Sequence, residues 1–211
     1  IVFGDWSSDV CSSDLVIPGK ESARKTGNQL KRLWLTQMDE EDFLRNSAKE
    51  LLLNHQVTDY TIFNLGMALN VFPIFKETCR RVGELSKLQT EINKQTVVDR
   101  VIENFVNPTS IPRIIARVLQ TLVNWGLVED HQNKIHFKDL EIKDQHVSDW
   151  FVRALLNMNS KVEIPLNDLV YLPEKLGISL PDIRAHLHAS TNLSIRRGLT
   201  GEEIITIKNS S

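Results

Sequence analysis

The stretch IPRIIARVLQTLVNWGLVED, residues 111–130, decides how the rest of the chain is read. An α-helix turns about 100° per residue. With Arg113 set at zero, Arg117 falls at about 40°, Gln120 at about −20° and Asn124 at about 20°. Ile111, Ile115, Val118 and Leu122 fall on the other side, between about 140° and 200°. The spacing predicts an amphipathic helix from near Ser110 to Trp125 that tolerates Pro112 in its first turn. Gly126 is a natural left-handed cap. Beyond it, residues 127–129, 130–133 and 134–137 read as strand, turn and strand.

Working back from Ser110, Pro73 suits the first turn of a helix with Phe75, Cys79, Val82 and Leu85 on one side. Residues 90–92 read as a short extended piece. Asn93 caps a helix whose Val98, Val101, Ile102 and Phe105 share a face. Residues 106–110 contain Asn-Pro and read as a turn. The order is helix, short strand, helix, turn, helix, hairpin. This order, and the 111–130 stretch in particular, resembles the winged helix-turn-helix class over residues 72–138. The resemblance implies a DNA-binding unit with the 110–125 helix as its recognition helix and the hairpin as its wing.

The polar face of that helix supports nucleic-acid contact on its own terms. From Ser110 to Asn124 there is no acid, and a phosphate-lined groove disfavours carboxylates. Arg113 and Arg117 offer guanidinium forks suited to guanine edges and phosphates, while Gln120 and Asn124 suit adenine edges. Thr109 and Ser110 stand at the helix start, and Lys134 at the wing tip. These seven residues are the expected contacts to double-stranded DNA. Glu129 and Asp130 beside the tip argue against strong binding by the wing itself. The competing reading is a helix face used for docking protein.

The flanking segments are less distinctive. Residues 16–71 read as a helical segment. Leu30, Leu33, Trp34 and Met38 recur at helical spacing. Asp39 is a plausible cap, with Glu40, Glu41 and Asp42 in the first turn, where the helix dipole favours acids. A third helix follows Thr58 or Asp59. The bases Lys20, Arg24, Lys25, Lys31 and Arg32 read as either a solvated helix start or a phosphate-contacting arm. Residues 139–211 read as a helix over 145–158, a second over 166–176 interrupted at Pro173, a turn at 177–179 and a short helix over 180–189. Strands follow at 192–197 and 203–208. This repeats the helix-turn-helix-hairpin order more loosely, so the fold class is mainly α with one or two winged-helix units.

Residues 5–15, DWSSDVCSSDL, match one reading frame of a common sequencing-adapter tail over eleven consecutive positions. Residues 1–15 are therefore expected to be foreign to the fold, with the natural N-terminus missing. The 211-residue chain has 25 Lys and Arg against 27 Asp and Glu. Leaving out Asp5, Asp9 and Asp14 brings the balance close to neutral, so no overall charge drives the chain onto nucleic acid. Residues 72–138 are the one basic segment, with 10 bases and 7 acids. No stretch approaches the roughly 18–20 apolar residues that span a bilayer.

Without Cys11, Cys79 is left alone, which excludes an intrachain disulfide and a cysteine-based zinc site. A reducing, cytoplasmic setting fits. Catalytic spacing is missing: 198–201, GLTG, lacks the length and lysine of a phosphate loop. His186 and His188 diverge on a helix, and Cys79, Trp34, Trp125 and Trp150 read as core. The expectation is a non-enzymatic protein without cofactor or metal.

At this length, with helices flanking winged units and an apolar framework from Phe72 to Val128, the chain also resembles the accessory DNA-binding family of BREX phage-exclusion systems. That resemblance implies a bacterial, cytoplasmic DNA-binding protein that acts with other defence-system proteins; the lack of a long apolar stretch leads to the expectation of no membrane partner. The alternative is a scaffold subunit that docks proteins through its winged helices.

Overall fold

The structure, a computed structural model, describes residues 20–36, 42–54, 59–105, 109–180, 184 and 190–208. It is mainly α with small sheets. Helices α1 (Lys20–Trp34), α2 (Asp42–Asn54) and α3 (Thr61–Val71) come first. Asp59 accepts a hydrogen bond from the Thr61 backbone N–H at 2.9 Å and so helps start α3. Ile62, Phe63, Leu65, Met67, Ala68 and Leu69 are all buried. A helix that is apolar all round must be enclosed, and α3 is the centre of the molecule. Gly66 allows the enclosure: a Cβ there would stand 2.6 Å from the Trp150 ring. Trp150 packs on Phe63 with ring centroids 4.8 Å apart, and its indole N–H donates to the Leu44 carbonyl at 2.9 Å.

The chain then builds helix α4 (Pro73–Ser86), strand β1 (Ile92–Asn93), helices α5 (Lys94–Ile102) and α6 (Ile111–Asn124), and strands β2 (Val128–His131) and β3 (Lys134–Phe137). Pro73 sits in the first turn of α4, and the Asn93 side chain caps α5 by accepting from the Gln95 N–H at 2.8 Å. The antiparallel sheet has the order β1-β3-β2, with Ile92 opposite Ile135 and Val128 opposite Phe137. The hairpin turn is two residues, shorter than the four expected. Gln132 (φ 49°) and Asn133 (φ 70°) both take the left-handed conformation of a type I′ turn. Gly126 (φ 71°) ends α6, and Leu127 N–H donates back to the Leu122 carbonyl at 3.0 Å.

Between α4 and α5, the Glu77 carboxylate binds Arg80, Arg81 and Asn104. Burial pushes its pKa up, but these donors together hold it below the usual carboxylate value.

Strand β4 (Leu140–Glu141) and helix α7 (Gln145–Asn157) follow, with Asp144 capping α7 by accepting from the His146 and Val147 N–H groups. Next come strand β5 (Glu163–Pro165), helix α8 (Leu166–Val170), a 3-10 turn (Pro173–Lys175) and strand β6 (Ile178–Ser179). Strands β7 (Leu193–Arg197) and β8 (Glu203–Ile207) close the chain. The turn expected at 177–179 is partly strand: β6 pairs in parallel with β4, Leu140 opposite Ile178. Two residues without alternation carry no strand signal, so the pairing is a product of tertiary contact. Strand β5 was not expected either. It joins a second antiparallel sheet of order β5-β8-β7.

Buried side chains from all three segments form one core cluster, from Leu33 and Leu44 through Cys79 and Leu122 to Leu193 and Ile205. Cys79 lies inside it as expected, and burial pushes its thiol pKa well up. The adapter-like residues 1–15, the Asp39 cap with Glu40 and Glu41, the 106–108 turn and the histidines 186 and 188 lie outside the described residues.

Candidate nucleic-acid interface

The apolar stripe of α6 is inward as the angles require, with Ile115 and Leu122 fully buried and Ile111, Val118 and Leu119 nearly so. The opposite stripe is open: Arg113, Ala116, Gln120 and Asn124 are exposed, and Thr109 and Ser110 are exposed at the helix start. At about 1.5 Å rise per residue, Arg113 and Gln120 are separated by about 10 Å along the axis. The Gln120 amide donates to the Asn124 carbonyl oxygen at 3.0 Å. That bond uses one donor and one acceptor, and each amide keeps further polar atoms for a ligand. The open stripe is therefore one cation and two amides on a rigid helix, without an acid.

Arg117 is placed differently. It is half-buried and lines a cavity with Gln29 and Arg32 of α1 and Phe72 before α4. Its angle from Arg113 carries it toward Ile114, on the flank that faces Gln29 and Arg32 of α1 across the cavity. The helical wheel identified the stripe but could not show which of its flanks another helix would cover.

Lys134 is exposed at the start of β3 and forms an ion pair with Glu91, the residue before β1. The register that puts Asn93 opposite Lys134 brings Glu91 within reach. The lysines around this hairpin are also matched. Lys94 pairs with Asp130, and Lys138 with Glu129 at 3.2 Å. Lys134 holds the Glu91 carboxyl below its usual pKa, and Lys138 with His131 does the same to Glu129. The β2–β3 hairpin is thus charge-balanced, and the open cation beside it is Arg113 of α6. Sequence reasoning saw Glu129 and Asp130 but missed Glu91 and Lys94, because each pair joins residues about 40 positions apart in the chain, brought together by the β1–β3 pairing.

Among the described residues no group of three His, Cys, Asp or Glu could hold a metal ion, and no helix is long and apolar enough to cross a membrane. No known family model, characterised protein or solved structure matches the chain.

Proposed function

We propose that the protein binds double-stranded DNA without catalysis, reading it with the open stripe of α6. The observation that carries this is the exposed, acid-free row of Arg113, Gln120 and Asn124, with Thr109 and Ser110 at its N-terminal end. Two further features support it. The order α4, β1, α5, α6, β2, β3 and the strand order β1-β3-β2 are those of a winged helix-turn-helix, in which the helix before the hairpin enters the major groove. The hydroxyls of Thr109 and Ser110 are exposed at the start of α6, where they would make the phosphate contacts that fix a docking register. The second sheet, β5-β8-β7, supports a second unit of the same class. Its counterpart of α6 would fall within 181–189, of which only Arg184 is described. Action within a bacterial phage-defence system belongs to the same proposal and rests on the sequence resemblance alone.

The test is a duplex titration by fluorescence anisotropy at several salt concentrations, with circular dichroism to confirm folding. Arg113→Ala should weaken binding. If Arg113 holds a phosphate, the slope of log K against log salt should also flatten by about 0.9. Unchanged affinity and slope in a folded variant would overturn the proposal. The reading would then pass to a protein-docking scaffold, which the charge-balanced wing favours.

A further inference from the structure

Between Arg113 and Asn124 of α6 the exposed side chains are Arg113, Ala116, Gln120 and Asn124. They all fall within about 60° of Arg113, so they form one row along the helix. The flanks of the row are half-buried, with Ile114 and Arg117 on one side and Pro112 and Val123 on the other. The open face is therefore a ridge one side chain wide. A major groove about 12 Å wide admits a helix, and such a ridge sets a single row against the base edges.

Each member of the row carries a different chemistry. The Arg113 guanidinium fork matches the paired acceptors of guanine. Ala116 has one methyl group and no polar atom, and a side chain that small lets the helix approach the C5-methyl group of thymine. The Gln120 amide matches adenine through its oxygen and one N–H. An amide nitrogen carries two N–H groups. One of them donates to Asn124 Oδ1 at 3.0 Å, which leaves an oxygen and an N–H for the adenine. The same bond limits rotation of the Gln120 amide, so Asn124 acts on the base through Gln120. Along the axis, Arg113 to Ala116 rises about 4.5 Å and Ala116 to Gln120 about 6 Å. In zinc-finger helices, reading residues at nearly this spacing meet successive base pairs.

We propose that α6 selects three successive base pairs: a G·C pair at Arg113, an A·T pair whose thymine methyl meets Ala116, and an A·T pair whose adenine is read by Gln120, with Asn124 as the positioning residue. The inference rests on the DNA-binding reading and adds the sequence that α6 selects.

The test is selection by the full chain from a duplex library with a randomised centre, followed by anisotropy titrations of the selected duplex and its single-pair variants. The selected duplexes should share one G·C pair followed by two A·T pairs. Replacing the guanine or the adenine should weaken binding about five- to a hundredfold. Uracil in place of the middle thymine removes only a methyl group and should weaken binding about fourfold. Arg113→Ala should abolish discrimination at the first pair alone, and Gln120→Ala at the third alone. Asn124→Ala should lower discrimination at the third pair while the first pair and the thermal midpoint stay unchanged. A merely structural Asn124 would instead lower the midpoint or affect all three pairs alike. Duplex binding without a shared motif, a third pair indifferent to Gln120→Ala and Asn124→Ala, or equal affinity for thymine and uracil duplexes would overturn the assignment and leave the DNA-binding reading standing. Absence of any duplex binding overturns both.

Discussion

The regions 73–137 and 145–207 build three-stranded antiparallel sheets in the same order, the first strand beside the third and the third beside the second. They reach that order by different means. The first hairpin closes on two left-handed residues, Gln132 and Asn133, and its strands keep strict register. The second closes over 198–202, where Gly198 N–H donates to the Glu202 carbonyl at 2.8 Å and Gly201 takes φ 88°. Leu199 projects fully exposed from that loop. The helix after the first sheet's opening strand runs nine residues, and its counterpart α8 only five. Charge is also handled alike around both sheets. Arg196 pairs with Glu163 at 2.7 Å and Arg184 with Glu203 at 2.8 Å, as Lys134 pairs with Glu91 in the first. Among the described residues, the open stripe of α6, where Arg113 stands in solvent beside two amides, belongs to the first region. Strand order is thus compatible with many surfaces, and function must be argued from the side chains placed on it.

Removing core volume from either region tests most severely whether the two depend on one another. Leu122→Ala in α6 should cost about 2–5 kcal/mol through lost burial and the cavity left behind. Ile205→Ala in β8, equally buried, should lower the same single thermal transition followed by circular dichroism. Two separated transitions would show that the regions fold independently despite the continuous core.

Gly83 tests the contact between the regions. A Cβ there would stand 2.1 Å from the Pro173 carbonyl oxygen, so α4 lies directly on the 3-10 turn. Gly83→Ala should cost about 1–3 kcal/mol as the backbones are forced apart, read as a lower urea midpoint. An unchanged midpoint would mean that the close approach is not part of the folded state.

The contrast between α6 and its wing predicts unequal effects on duplex binding. If Arg113 reads a base, Arg113→Ala should cost about 1–3 kcal/mol of discrimination. Lys134→Ala should do much less, because Lys134 is already matched by Glu91. Glu91→Gln should act in the opposite direction and raise duplex affinity slightly by releasing Lys134. Equal losses for Arg113→Ala and Lys134→Ala would place the wing on a par with α6.

The smallest effect is expected at Glu174, buried in the 3-10 turn with one carboxyl oxygen lacking a partner. Burial raises its pKa in the folded state. An acid so shifted favours folding while protonated in both states, and that contribution is lost as pH rises through the folded pKa. Glu174→Gln should therefore raise the thermal midpoint at neutral pH, with the gain shrinking as pH falls through the carboxylate range. A gain that is independent of pH would assign the effect to packing instead.

Much of the first region was legible because its signals are local. Pro73, Asn93 and Gly126 start, cap and end helices through their own backbone chemistry, and the 3.6-residue period of α6 sorts its two faces. Strands β4, β5 and β6 were not legible, since two or three residues carry no alternation and acquire their pairing from partners distant in sequence. The candidate site divides in the same way. Thr109, Ser110, Arg113, Gln120 and Asn124 stand in solvent as their helical positions require, whereas Arg117 is half-buried at a cavity it shares with Gln29 and Arg32 of α1, and Lys134 is paired with Glu91.

The sequence by itself determined a mainly α chain, the span and capping of α6, and an acid-free polar stripe opposite an apolar one, because periodicity and capping act within a few residues. The tertiary structure alone decided which flank of that stripe faces α1 across a cavity, and which carboxylate matches each lysine around the hairpin. These outcomes depend on contacts between residues tens of positions apart, whose geometry is set only when α1, α4 and α6 pack around a common core.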